Sequence, residues 1–408
     1  MLVEFTVGNF LSFKEKKTLS LEATPITEYA ESNVVKMERH DLLKGAVIYG
    51  ANAGGKSNLI KAMSTMRRIV LHSFASSSTQ KLGIAPFLLN TETEISPSFF
   101  EVLFIIKNIR YRYGFEVDNA NIKSEWLFEA QRKTEKPLFI RENDAIEVMK
   151  NFPEGENLEE KTRDNALFLS VVDQFNGKTA KRIIQWFNDF VTISGLSHEE
   201  YKEMTFSMLE NKKIKPSMLR FYTELDLGFE DIQLEKEPFN PKEFDDEFDI
   251  KTTHRKYDKK NNPVGNVEFE MRSQESSGTN KIFNISGPIF DVLNDGGVLV
   301  IDELDASLHP LLTLAVTKLF NSTEHNPKNA QFIFATHDTN LLHYGNYRRD
   351  QIYFVEKDPY GASDLYSLVV YKESDGKAIR KDRSFEKDYI QGRYGAIPFI
   401  GNLSNISK

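Results

Sequence analysis

The chain contains no cysteine and only two tryptophans among its 408 residues. Without thiols there is no disulfide, no cysteine-bound zinc and no record of the redox compartment. No apolar run approaches the length of a membrane span. The opening Met1-Leu-Val-Glu-Phe-Thr-Val7 lacks a basic stretch followed by an apolar one, so no secretory signal is expected and a cytoplasmic protein is the default. There is no excess of positive charge either. Lys and Arg total 52 against 60 Asp and Glu, a net charge of −8 with a pI near 5.7. That balance argues against a surface coated for nucleic acid, while leaving a local basic groove open. Internal repeats and sustained heptads are absent. What remains is 40% hydrophobic and 27% charged, ordinary for a globular chain long enough for two or three structural units.

Against this background one segment stands out. Gly50-Ala51-Asn52-Ala53-Gly54-Gly55-Lys56-Ser57 is a complete G-x-x-x-x-G-K-S loop behind the apolar run Ala46–Tyr49. The glycines let the backbone curl so that its N–H groups point at a phosphate chain, and the following helix adds its positive end. Lys56 is placed for the β and γ phosphates and the Ser57 hydroxyl for Mg²⁺. Leu59, Ile60, Met63, Met66, Ile69 and Val70 then recur at helical spacing. The chain is expected to bind ATP with Mg²⁺.

The rest divides into three stretches. Residues 1–119 read as an N-terminal lobe. Val3, Phe5 and Val7 alternate as a strand, Leu19 and Leu21 as a second, and Phe99–Ile106 with Ile109–Val117 as a hairpin across Lys107-Asn108. Residues 120–265 read as a mostly helical insertion, with helices over Leu158–Phe175, Thr179–Val191, Glu199–Leu209 and Pro216–Leu225. Residues 266–408 return to strands alternating with helices, which implies an α/β sheet. There the run Val298–Ile301 suits a buried parallel strand and delivers Asp302 and Glu303 at its C-terminal end, where open α/β sheets bind ligands. Asp302 fits the Mg²⁺-holding carboxylate. Glu303 fits the base that polarises the attacking water.

Two further segments identify a subtype: Glu275-Ser-Ser-Gly-Thr-Asn280 upstream of that strand, and Ala335-Thr-His-Asp338 after the next. In this order the motifs resemble the ABC-type ATPase head of SMC, RecF and OLD-like proteins. Val3–Phe13 is similar to their first strand pair. Asp302–Pro310 resembles the Walker B and D-loop of compact bacterial members, among them ATPases of abortive-infection and other anti-phage systems. The resemblance covers roughly residues 1–117 and 267–360. It implies a P-loop core on a mixed sheet with an N-terminal antiparallel β subdomain. It also implies a homodimer or higher homo-oligomer, each ATP lying between one subunit's P-loop and the other's signature segment. Carried over, Ser276 and Gly278 would touch the γ-phosphate of the partner's ATP, Asp305 would lie in the D-loop, and His337 would be the switch histidine. The pattern departs at Ser277, in place of a glycine, and at Glu275, in place of a leucine.

The resemblance further suggests an ATP-driven sensor or motor in phage defence, acting with an effector protein encoded nearby and no membrane. A RecF-like DNA clamp and an ATP-regulated nuclease with a site in the insertion are the alternatives, so the further ligand is either DNA or a phage protein. Gln80 lies in the region of a Q-loop glutamine, among several other polar residues. His309 reads as a helix-start residue and His254 as solvated. The basic clusters Arg67-Arg68, Lys178–Arg182, Lys212-Lys213-Lys215 and Arg380–Arg383 read as solvated faces. So does the acidic run Glu243, Asp245, Asp246, Glu247 and Asp249.

Overall fold

A computed structural model describes residues 1–131, 134–236, 248–344, 347–372, 379–380 and 383–398. The chain opens with strands β1 (Leu2–Gly8) and β2 (Lys17–Ser20), a helical turn α1 (Ala30–Asn33), and the short pair β3 (Val34–Val35) and β4 (Leu42–Leu43). Then come β5 (Gly45–Tyr49) and helix α2 (Lys56–His72), followed by β6 (Ser98–Ile106), β7 (Ile109–Val117), β8 (Ile122–Ala130), β9 (Lys136–Glu142) and β10 (Ala145–Val148). Helices α3 (Phe168–Gln174) and α4 (Lys178–Asn188) lead to β11 (Phe190–Ser194), and α5 (Lys202–Glu210) and α6 (Lys215–Glu224) to β12 (Asp231–Lys236), β13 (Phe248–Tyr257) and β14 (Pro263–Glu270). The remainder is α7 (Met271–Gln274), α8 (Ser277–Asp295), β15 (Val298–Asp302), α9 (Pro310–Asn321), β16 (Gln331–Ala335), α10 (Leu341–Tyr344), β17 (Ile352–Lys357), β18 (Ser363–Ser367) and α11 (Phe385–Ile390).

Two large sheets form the body. One is antiparallel, in the order β10-β9-β8-β7-β6-β1-β2. The other runs β11-β15-β16-β5-β17-β18, parallel except for its last pair. This is the expected α/β head with an N-terminal antiparallel subdomain. Alternate residues of the parallel strands feed two separate cores, as strands buried on both faces must. Ala46, Ile48, Val298, Val300 and Ile333 pack with α2 and the antiparallel sheet. Val47, Tyr49, Leu299, Ile301, Phe332 and Phe334 pack with α8 and α9. Fully buried Gln331 joins the two sheets. Its Oε1 accepts from Leu2 N (2.6 Å), and its Nε2 donates to Leu2 O (3.0 Å) and Leu43 O (2.9 Å).

Residues 120–265, expected to be mostly helical, are built differently. Strands β8 to β10 extend the antiparallel sheet outward, β11 completes the parallel sheet beside β15, and β12-β13-β14 form a third, three-stranded sheet. Of the expected helix over Leu158–Phe175 only α3 is α-helical. At 120–148 a clean period of two is lost: bulges bring Ile122 and Leu127, and the adjacent Leu138 and Phe139, to buried positions, and two other buried positions hold the charged Glu125 and Arg141. Glu243, Asp245, Asp246 and Glu247 lie outside the described residues, as do Lys381 and Asp382 of the last basic cluster. Arg67 and Arg68 serve the fold, donating to Phe187 O and Leu82 O.

Two polar joints fix helices, one to a sheet and one to another helix. Glu125 on β8 has no exposure, and its carboxylate accepts from Phe168 N (2.6 Å), Leu169 N (3.1 Å) and the Tyr113 hydroxyl (2.9 Å). It thus satisfies first-turn amides of α3 that have no intrahelical partner. In α8, Pro288 has no N–H to offer the carbonyl of Asn284 four residues earlier. Thr205 of α5 fills the gap, donating to Asn284 O at 2.8 Å while accepting from Gly287 N at 3.0 Å. Only glycine fits at 287, because a Cβ there would lie 2.4 Å from Thr205 N.

Burial raises the pKa of Glu125 above the ordinary carboxylate value, with Arg141 opposing. Glu125→Ala should therefore cost about 2–4 kcal/mol in urea unfolding, since it strands buried donors. Glu125→Gln keeps an acceptor and removes the desolvated charge, and should cost far less.

Candidate functional site

The parallel ladder sets the site. Ile301 pairs with Phe334, Phe334 with Val47, and Ala335 with Ile48. The C-terminal ends of β15, β16 and β5 are therefore level, and the segments that leave them emerge side by side: Asp302-Glu303, Thr336-His337, and the loop from Gly50. The ladder continues one step further, with Thr336 N donating to Ile48 O at 3.2 Å.

The loop Gly50–Gly55 is a tight cradle. Ala53 and Gly55 take positive φ, 62° and 124°. A Cβ on Gly50 or Gly54 would lie 2.3 or 2.8 Å from Val355 O, and one on Gly55 would lie 2.3 Å from Ser363 Oγ. Ser363 on β18 donates to Gly54 O (2.7 Å), and its Oγ lies 2.8 Å from Ser12 Oγ, which also accepts from Asn58 Nδ2 (2.7 Å). Ser12, Asn58 and Ser363 carry no signal in the sequence, since each is an ordinary polar residue until the fold brings it to the loop. Lys56 Nζ reaches over the loop to Gly50 O (2.8 Å) and Ala51 O (3.3 Å). Ser57 is the second residue of α2.

Opposite stand the acids. Asp302, Glu303 and Asp305 all act electrostatically on Lys56, partly offsetting the lowering of its pKa by burial. His337 has its pKa lowered, first by partial burial and then by Lys56, against the pull of the same three acids. Asp305 fixes the backbone there, accepting from His337 N at 3.2 and 3.3 Å. Glu303 itself sits at φ 51°, uncommon for a residue with a side chain. Asp302 Oδ1 is buried without a hydrogen-bond partner among the described residues. An orphaned carboxylate oxygen on a residue within electrostatic reach of Lys56 fits a Mg²⁺ ion, which takes one or two protein ligands beside phosphate oxygens. No cluster of three metal-ligating residues occurs among the described residues.

Ser276 and Ser277 lie exposed at the start of α8, with Gly278 half-buried. Ser276 is its N-cap, accepting from Thr279 N at 3.1 Å. Among the described residues no hydrogen bond joins this segment to the chain's own P-loop. It meets the loop that follows β15 instead: a Cβ on Gly278 would lie 3.1 Å from Ser307 O. Fully buried Lys281, which belongs to no motif of the sequence, makes the same junction. It donates to Glu303 O (3.1 Å), Leu304 O (2.9 Å) and Ala306 O (2.7 Å), and burial lowers its pKa to about 8. His309 caps α9, its Nδ1 accepting from Leu311 N, as a helix-start residue should.

His254 is not solvated. Its side chain is 17% exposed, its ring centroid lies 4.4 Å from that of Phe269 at a 34° tilt, and its Nε2 lies 2.6 Å from Glu275 Oε1. Thr252 donates to the same oxygen. Glu275, where the resembled pattern has leucine, is thus bound by polar side chains of β13, which ties the three-stranded sheet to the segment around Ser276.

With this geometry in place, comparison with known proteins decides the family. Residues 46–343 match the model described as "AAA domain, putative AbiEii toxin, Type IV TA system". The chain belongs to this family. The match spans the P-loop, both acids, the segment around Ser276 and His337. Solved structures similar to the chain include the SMC head domain of Thermotoga maritima, at 13% identity and a TM-score of 0.44, covering 90% of this chain and 98% of that one. Another is the SMC head of Pyrococcus yayanosii with a coiled coil and joint, also at 13% identity, with a TM-score of 0.39 and coverage of 90% and 97%. No curated protein matches the chain significantly. No helix among the described residues is long and apolar enough to cross a membrane.

The cradle makes one position diagnostic. Gly55→Ala places a Cβ against Ser363 at an unfavourable φ, and should cost about 1–3 kcal/mol in denaturant unfolding. Adding Ser363→Ala should relieve the steric part and leave the backbone part.

Proposed function

We propose that this chain is a Mg²⁺-dependent ATP hydrolase whose ATP sites are completed by a second copy, and that it works in the cytoplasm as the sensor and motor of a phage-defence system. The observation that carries the reading is the level array of P-loop, Asp302-Glu303 and His337 at the ends of three adjacent parallel strands. In this reading the amides of Gly50–Ser57 receive the phosphates, and Lys56 leaves its loop carbonyls for the β and γ oxygens. Ser57 and Asp302 hold Mg²⁺, which supplies charge neutralisation on the phosphates when bound. Glu303 accepts the proton of the water that attacks the γ-phosphorus. His337, held from behind by Asp305, faces the γ-phosphate as a hydrogen-bond donor. The N-terminus of α8, exposed and unconnected to its own P-loop, supports a role for Ser276 and Gly278 on the partner's ATP, with helix amides suited to an anion.

The roles separate by mutation. Lys56→Ala should abolish binding of a fluorescent ATP analogue. Glu303→Gln should retain binding and lose about 10²–10⁴ in kcat. Undiminished turnover in Glu303→Gln would remove Glu303 from the base role. Mixing inactive Lys56→Ala protein with inactive Gly278→Asp protein should restore partial ATPase, because one intact composite site forms per heterodimer. A mixture that forms heterodimers and stays inactive would remove the shared site.

The defence role rests on the family, whose description names a putative AbiEii toxin and a Type IV TA system. We assign the harmful activity to a partner encoded beside this chain, because the motif-bearing residues are accounted for by the nucleotide site. The family description supports a second reading, in which this chain is itself the toxic member. Expression alone separates them: harmless expression, with phage protection only on co-expression and lost in Lys56→Ala, fits the sensor and motor. Growth arrest by the chain alone fits the toxin.

A further inference from the structure

Lys281 sits on α8 five residues beyond Ser276, about 7.5 Å along the helix. Its side chain has no exposure, and its ammonium spends all three donors on main-chain carbonyls of one loop, those of Glu303, Leu304 and Ala306. That loop turns through left-handed backbone at Glu303 (φ 51°) and Ser307 (φ 60°), a shape that a chain of non-glycine residues keeps only when its surroundings hold it. A second contact joins the same two elements, the close approach of Gly278 to Ser307 O. On its far side the loop is tied to the end of β16 and to His337 beyond it, through Leu304 N to Ala335 O and Asp305 to His337 N. An apolar side chain at 281 would fill the same space without desolvating a charge. Holding three carbonyls at once is what the ammonium adds.

We infer that Lys281 is a positioning residue for Glu303: it locks the loop 303–306 to the start of α8, so that a contact made by Ser276–Gly278 with a partner subunit's nucleotide sets where Glu303 stands at the chain's own. The lock stands on this geometry alone. Its link between two nucleotides rests on the composite-site reading of the proposed function.

Lys281→Met keeps the packing and removes the donors. In the nucleotide-free protein, hydrogen exchange at the amides of residues 304–308 should rise at least about tenfold, with α2 and β16 unchanged. With ATP, binding of the fluorescent analogue should stay within about threefold while kcat falls at least about tenfold and KM changes little. Lys281→Arg, which restores charged donors, should recover most of that kcat. Unchanged exchange in this segment overturns the lock, whatever happens to activity. Changed exchange with undiminished kcat in Lys281→Met overturns the role toward Glu303. If Lys281→Met does not fold, Lys281→Gln carries the same two measurements, and normal exchange and kcat in it overturn the proposal. Absence of turnover in the unmodified protein would sink the hydrolase reading and leave hydrogen exchange to decide the lock.

Discussion

The register of three parallel strands is the constraint on which the rest depends. β15, β16 and β5 pair so that their ends are level, and a slip of one residue in any of them would turn every side chain to the other face. The slip is prevented by burial, not by the ladder itself. Ile301, Phe334 and Val47 belong to one core and Val300, Ile333 and Ala46 to the other, so a displaced strand would lose both packings at once. Two acids, a histidine and a glycine loop, distant in sequence, become neighbours because two hydrophobic cores agree on the same register.

The polar joints then convert that frame into a site. Gln331 between the sheets, Glu125 at the start of α3, Thr205 beneath Pro288 and Lys281 under the loop 303–306 are all buried, and each satisfies main-chain groups of a different element. Buried polar groups of this kind give little net stability, since desolvation offsets the bonds they make. What they do is discriminate: an alternative packing would leave several donors or carbonyls unpaired in a low-dielectric interior, at a cost the hydrophobic terms alone would not impose.

The parts of this structure legible in the sequence are those whose chemistry is local. The P-loop is eight consecutive residues whose backbone shape follows from its glycines. β15 announces itself as an unbroken apolar run ending in two acids, and β6 with β7 as alternating runs around a two-residue turn. The strands β8 to β14 are hidden for the opposite reason. β8, β9, β12 and β13 mix Lys, Arg, Glu or Asp among apolar residues, so their composition resembles that of charged helices, while β14 is exposed along almost its whole length and β11 begins inside an expected helix. Strand character can come from neighbours far along the chain, as for β11, which pairs with β15 in the register Phe190 to Val298. Ser12 and Ser363 are similarly mute, because a hydroxyl means something only beside the loop it supports.

The Glu275 exchange illustrates how such a departure is absorbed. A carboxylate in place of an aliphatic side chain, with its side chain only 8% exposed, would be costly if left alone. β13 answers it with Thr252 and His254 on one oxygen, and Phe269 packs against the imidazole at a tilt. The partner residues come from the sheet that leads directly, through β14 and the single turn Met271–Gln274, into Ser276. The covalent path and the side-chain tie therefore converge on the same few residues. A displacement of β13 would have to break the hydrogen bonds at Glu275 or carry the start of α8 along with it, and α8 is held by Lys281 to the loop of Glu303. The departure from the resembled pattern thus adds a mechanical connection between the three-stranded sheet and the nucleotide site that an aliphatic residue at 275, having no hydrogen bonds to make, would not supply.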